Sequence, residues 1–228
     1  MKKDFNFPYS ELIQRSDKME PIIIRDQEQL SVYGFAPDTA LKIRTKADVL
    51  RDLPTDEYWI GQQMLKTNSK NEARSSVDDL LADLRHRCKR ALGENSINYK
   101  LFRFSRLASM NDRDIIVFGN NAISSAESML DALASHHIDA DYLTQLKAQI
   151  RLLDDALDEQ TEMENIRSRK QSERMQLAND LYRLIRDVCE TGKLIWKGKD
   201  ENSYADYVIY GSSKSTHEET ETKDKLTD

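Results

Sequence analysis

From Asp139 to Thr191 the chain runs for about 53 residues without a proline or a glycine. A stretch that long, rich in Leu, Gln, Glu, Lys and Arg, favours helix throughout. Counted in heptads from Leu146, one frame reads Leu146, Ile150, Leu153 and Leu157, then Gln160, Glu164, Arg167, Gln171 and Arg174, then Ala178, Leu181, Ile185, Val188, Gly192 and Ile195. The two ends carry core residues at coiled-coil spacing and the middle does not. The pattern predicts one helix covered at both ends and bare between, with Gly192 as its stop. At ~1.5 Å per residue it would be a rod of roughly 80 Å, longer than a compact domain of this size is wide, so an elongated molecule is expected.

The remaining segments also read as helical. Residues 8 to 33 carry Leu12, Ile13, Met19, Ile22, Ile23, Ile24, Leu30 and Val32, with Pro21 predicted to kink or restart the helix and Gly34 to end it. Ala36-Pro37-Asp38 opens a helix through Leu50, and Leu53-Pro54-Thr55-Asp56 interrupts it. The next helix reaches Leu92, with Trp59, Ile60, Met64 and Leu65 as one apolar end, Val77 to Leu92 as the other, and a polar middle from Lys66 to Glu72. Aromatic residues in the connection from Gly93 to Met110 predict that it packs on the bundle. A helix from about Asp112 to Ser135 and a corner at His136-His137-Ile138 lead into the long helix. Beyond Gly192, the run Tyr204 to Tyr210 alternates as an extended segment would, and residues 212–228 have the composition of a disordered polar tail.

Sliding the chain by about 101 residues aligns the same plan twice, Leu80, Leu84 and Cys88 falling on Leu181, Ile185 and Cys189. The expected organisation is a first helical hairpin half over 1–110, a second over 111–211, and the tail. If the long helices run antiparallel, Lys70 and Arg74 approach Met163 and Glu159.

Candidate chemistry is sparse. With 7 Gly in 228 residues and no Gly-rich loop opening a helix, phosphate-binding folds are poor candidates. Cys88 and Cys189 read as reduced core thiols. Asp83-x-x-His86 has di-metal spacing but sits among Arg85, Arg87, Lys89 and Arg90, which would repel a metal. Asp139 or Asp141 is placed to cap the long helix. The net charge of −6 disfavours a general nucleic-acid surface; of the two basic blocks, 85–90 and 167–170, the first has Arg85, Arg87, Lys89 and Arg90 spread around most of its helix. The Met1-Lys2-Lys3 start is followed by polar residues, and a cytoplasmic location is expected.

One stretch stands out as a surface. Asp154, Asp158, Glu162 and Glu164 precede Arg167, Lys170 and Arg174, so an antiparallel copy would lay acid over base.

Ala178-Asn-Asp-Leu-Tyr182, Cys189-Glu-Thr-Gly-Lys193, Ile195-Trp196 and Tyr204-x-Asp-Tyr-Val-Ile-Tyr210 resemble a group of uncharacterised all-helical proteins from Bacteroidetes bacteria. Gly93-x-Asn-Ser-x-x-Tyr99-x-x-Phe102 is similar to the matching element of that group. The resemblance extends over residues 30 to 210. It implies a bacterial source and a helical-hairpin fold, and brings no catalytic residues. The sequence therefore predicts an all-α, elongated bundle of two hairpin-like halves, non-enzymatic, with no cofactor or metal, acting through a protein partner or an antiparallel homodimer. Nucleic-acid association, as in a mobile-element accessory protein, and a metal-binding or enzymatic bundle are the alternatives.

Overall fold

The computed structural model describes residues 2–209, and the expected polar tail at 212–228 lies outside them. The described chain is all-α, with no strand. Its helices are α1 (Tyr9–Arg25), α2 (Gln27–Ser31), α3 (Thr39–Asp52), α4 (Asp56–Leu92), α5 (Ile97–Leu101), α6 (Asp112–Glu127), α7 (Leu130–Leu133), α8 (Ala140–Trp196) and α9 (Glu201–Asp206). A 3-10 segment, Phe104–Ser109, joins α5 to α6.

The helix boundaries have local causes. Asp139 Oδ1 accepts the Tyr142 N–H at 2.8 Å and caps α8. Asn111 does the same for α6 through the Asp114 N–H, at 2.9 Å. Gly93 ends α4 at φ 77°, where a Cβ would be strained. Pro21 lies inside α1, and the break comes at Asp26. That residue is only 2 % exposed. Its carboxylate accepts hydrogen bonds from Trp196 Nε1 at 2.9 Å, the Tyr207 hydroxyl at 2.8 Å, and Arg25 Nε and Nη2 at 2.8 Å each. Burial opposes ionisation of this carboxyl, but those donors outweigh it and hold its pKa below the ordinary value.

Two sequence expectations fail at the same place. Gly192 does not stop α8, which continues to Trp196, and the Tyr204 region is helical instead of extended. A Cβ built on Gly192 would fall within the Tyr207 ring. The glycine is a close-approach position that lets the segment after α9 lie against α8.

The described residues form two compact units, one of residues 2–53 with 173–209, the other of Pro54–Ser172. In the first, α1 packs along α3, and Leu12, Ile23, Leu30, Ile43 and Leu50 enclose a core with Leu181, Ile185, Val188 and Tyr207. Phe5 and Phe7 close one end over Tyr182, with ring centroids 5.3 and 6.1 Å away. In the second, Val77, Leu81, Leu84 and Cys88 of α4 pack with Ile115 and Ala122 of α6 and with Leu146, Ile150 and Leu153 of α8. Phe102 and Phe104 stack at 5.1 Å in this core, so the aromatic connection does pack as expected. Each fully buried Leu or Ile contributes about 1.5–3 kcal/mol.

The compact units cut across the halves 1–110 and 111–211, yet their burial pattern repeats. Buried Leu12, Ser16, Met19, Ile23 and Leu30 are followed 103 residues later by buried Ile115, Gly119, Ala122, Ala126 and Leu133. Ala40, Ile43, Ala47 and Leu50 recur at the same interval as Leu143, Leu146, Ile150 and Leu153. Past Pro54 the interval is 101, pairing Val77, Leu81, Leu84 and Cys88 with Ala178, Tyr182, Ile185 and Cys189. The first half spends two extra residues on the Pro54 interruption, so α3 and α4 together match the single helix α8. The first unit thus joins α1 to α3 to the end of α8, and the second joins α4 and α6 to its beginning.

Candidate interaction surface

Within the second unit, α4 and α8 pair antiparallel through their polar middles. The register follows from the bonds: Gln160 Nε2 donates to Thr67 Oγ1 at 3.3 Å, Lys66 pairs with Glu159 at 2.8 Å, and Arg167 donates to Gln63 Oε1 at 3.0 Å and pairs with Asp56 at 3.3 Å. The predicted approach of Lys70 and Arg74 to residues 159–163 is therefore displaced. Those cations instead converge on Asp112, Lys70 at 2.7 Å and Arg74 at 2.8 Å. Asp112 is the first residue of α6, where a carboxylate also suits the helix dipole. Burial opposes its ionisation, and the hydrogen bonds from Lys70 and Arg74 prevail and lower its pKa. Arg74 Nη2 also donates to the Met110 carbonyl at 2.9 Å. These bonds fix the point at which a third helix joins the pair.

The heptad frame of α8 holds the inner face at both ends but not in the middle, where Glu164 and Gln171 are exposed and Met163 turns inward instead. Gln160, Met163 and Arg167 are half-buried, so the middle packs polar side chains instead of none. Asp158, Glu162 and Glu164 are exposed and form no ion pair among the described residues. Asp154, also exposed, lines a small cleft of about 180 Å³ with Lys147 and Arg151. Lys170 is exposed. Arg174 belongs to the first unit, where it donates to the Leu53 carbonyl at 3.3 Å and lies over the Tyr9 ring at 5.1 Å. The seven residues singled out in the sequence are thus divided: three bare acids, an acid among bases, two arginines engaged within the fold, and Lys170.

What the sequence misplaced is the apolar start of α4. Ile60, Met64 and Leu65 were expected to pack, but Met64 is 66 % and Leu65 63 % exposed, and Ile60 is exposed beside them. Ile60, Gln63, Met64, Leu65, Thr67 and Arg167 are among the residues lining a groove of about 600 Å³. Large apolar side chains grouped on a helix beside polar ones mark an interaction surface more often than scattered ones do.

The other candidates resolve as structure. Asp83 is held by Arg87 at 2.8 Å and by the Tyr142 hydroxyl at 3.0 Å, while His86 is exposed. Among the described residues no three His, Cys, Asp or Glu gather as metal ligands would. Both thiols are free and buried, and burial pushes each up to about 12, which leaves them protonated at neutral pH. In the first basic block, Arg87 also lies over the Tyr142 ring at 4.9 Å and Lys89 pairs with Glu94 at 2.7 Å. No described helix is long and apolar enough to cross a membrane. Comparisons with family models, with curated proteins and with solved structures find no match to this chain.

Proposed function

We propose that the protein is a non-enzymatic interaction module that engages a protein partner through the open α4/α8 seam. The observation that carries this reading is the exposed surface of this helix pair: α8 bears bare Asp158, Glu162 and Glu164, and α4 bears exposed Ile60, Met64 and Leu65. Steered association through exposed acids and affinity from adjacent apolar anchors are the two ingredients of a polar-rimmed interface. Self-pairing in an antiparallel homodimer is the weaker reading, because Arg167 is bound by Asp56 and Gln63 and Arg174 lies against Tyr9. A nucleic-acid role would need a continuous basic face, and Arg87 and Lys89 are occupied by acids.

Affinity capture from an extract of the source cells tests the reading, with wild type set against a variant carrying Asp158→Lys, Glu162→Lys and Glu164→Lys. A partner retained at low salt by wild type and lost by the variant is expected. Identical recoveries from both, or no partner with either, would overturn it.

A further inference from the structure

We infer that the open groove beside Met64 is a docking site for one basic amphipathic helix of a partner protein, which takes the place along α4 and α8 that α6 takes further on. The inference rests on the interaction reading above and specifies its occupant.

The Lys66–Glu159 pair marks one flank of the α4/α8 seam. At about 100° per residue, Ile60, Met64 and Asn71 fall on the opposite flank of α4. For antiparallel right-handed helices that flank meets the side of α8 bearing Asp154, Thr161 and Glu164. This is the side α6 occupies where it is present: Ile116 and Asn120 line a cleft with Ile150 and Asp154, and Gly119 sits so close to Ile150 that a Cβ there would overlap its Cδ1. The helix begins at Asp112, tied to Lys70 and Arg74. Beyond that point the flank is open, and the groove lined by Ile60, Met64 and Thr67 continues the track. A helix is thus the shape already accepted by this pair.

Charge selects which helix. Glu164 is bare on this flank of α8, whereas Arg167, a base lining the groove, is neutralised by Asp56. An incoming helix with leucine-like residues at i and i+4 would meet Ile60 and Met64, and Lys or Arg on its flank would meet Glu164. Acidic helices would be repelled.

The test uses the full chain and a synthetic Leu/Lys amphipathic peptide of about 18 residues, with a Leu/Glu counterpart, read by fluorescence anisotropy at two salt concentrations. The Lys peptide is expected to bind at tens of micromolar and at least tenfold more tightly than the Glu peptide. Ile60→Ser with Met64→Ser should weaken it at least fivefold, and Glu164→Lys should weaken it while flattening the salt dependence. Leu41→Ser, at an exposed apolar position on α3, should change nothing. Equal binding of the two peptides, or an equal loss from Leu41→Ser, overturns the inference. So does light scattering that finds a wild-type dimer abolished by Met64→Ser, because the occupant would then be a second copy. If the peptide fails while extract capture still depends on the three acids, this occupant falls and the interaction reading stands.

Discussion

Along α4 and α8 one antiparallel pairing is finished in two ways. From Val77 to Cys88, α6 lies in as a third helix and the facing positions are Leu, Ile and Val at zero or near-zero exposure. From Asp56 to Thr67 the facing positions are Asp, Gln, Lys and Thr matched to Arg167, Glu159 and Gln160, and no third described helix covers the apolar flank. Helix propensity is similar in both parts, so it does not set the boundary. Burial does: two helices alone cannot shield large apolar side chains, and polar side chains with partners form the seam where cover is lacking.

Substitutions can break this contrast, and the largest effect belongs to the covered part. Leu81→Ala leaves a cavity beneath α6 and should cost about 2–5 kcal/mol in urea-induced unfolding, whereas Met64→Ala should stay within about 0.5 kcal/mol. Equal losses would mean that the seam is as covered as the core. Next comes the junction. Asp112→Ala removes the carboxylate that Lys70 and Arg74 share, leaving Arg74 its bonds to Asp78 and the Met110 carbonyl, and should cost about 1–3 kcal/mol. Since the Asp112 carboxyl is lowered in the fold, its contribution is present above the unfolded pKa of about 4 and is lost as pH falls further. Unfolding at pH 5 and pH 3 should therefore separate wild type from the variant less at the lower pH. In the seam, Lys66→Met removes one exposed ion pair with Glu159 and should change stability by less than about 1 kcal/mol, in a salt-dependent way. Smallest of all, Met64→Ser should leave the urea midpoint unchanged; a clear destabilisation would show that Met64 packs within the fold.

The all-α class, the uninterrupted α8, the cap at Asp139 and the buried thiols were legible because each depends on local spacing or on a single residue's preference. The partner of Lys70 and Arg74 was not. Charge opposition across two long helices suggested Glu159, but Asp112 follows a connection whose path no spacing rule gives. Gly192 was misread because glycine favours both a helix end and a tight contact, and only the Tyr207 ring decides between them. Ile60, Met64 and Leu65 look like core in sequence because hydrophobic periodicity records a face without recording whether anything covers it. The repeat in burial is visible in the sequence at Leu84 and Cys88 but hidden before Pro54, where the interval changes by two residues and a single offset loses the pairs. Asp26 gave no signal, as its value lies in donors about 170 and 181 residues away.

The discontinuous make-up of the first unit also has a temporal side. The second unit is one continuous stretch, Pro54–Ser172, and its core can close as soon as that stretch has left the ribosome. Helices α1 to α3 are made first but cannot bury Leu12, Ile23 or Leu30 until Leu181, Ile185 and Tyr207 exist. Their apolar faces wait through the synthesis of more than a hundred residues, which makes the N-terminal segment the part of the nascent chain with most to gain from a chaperone.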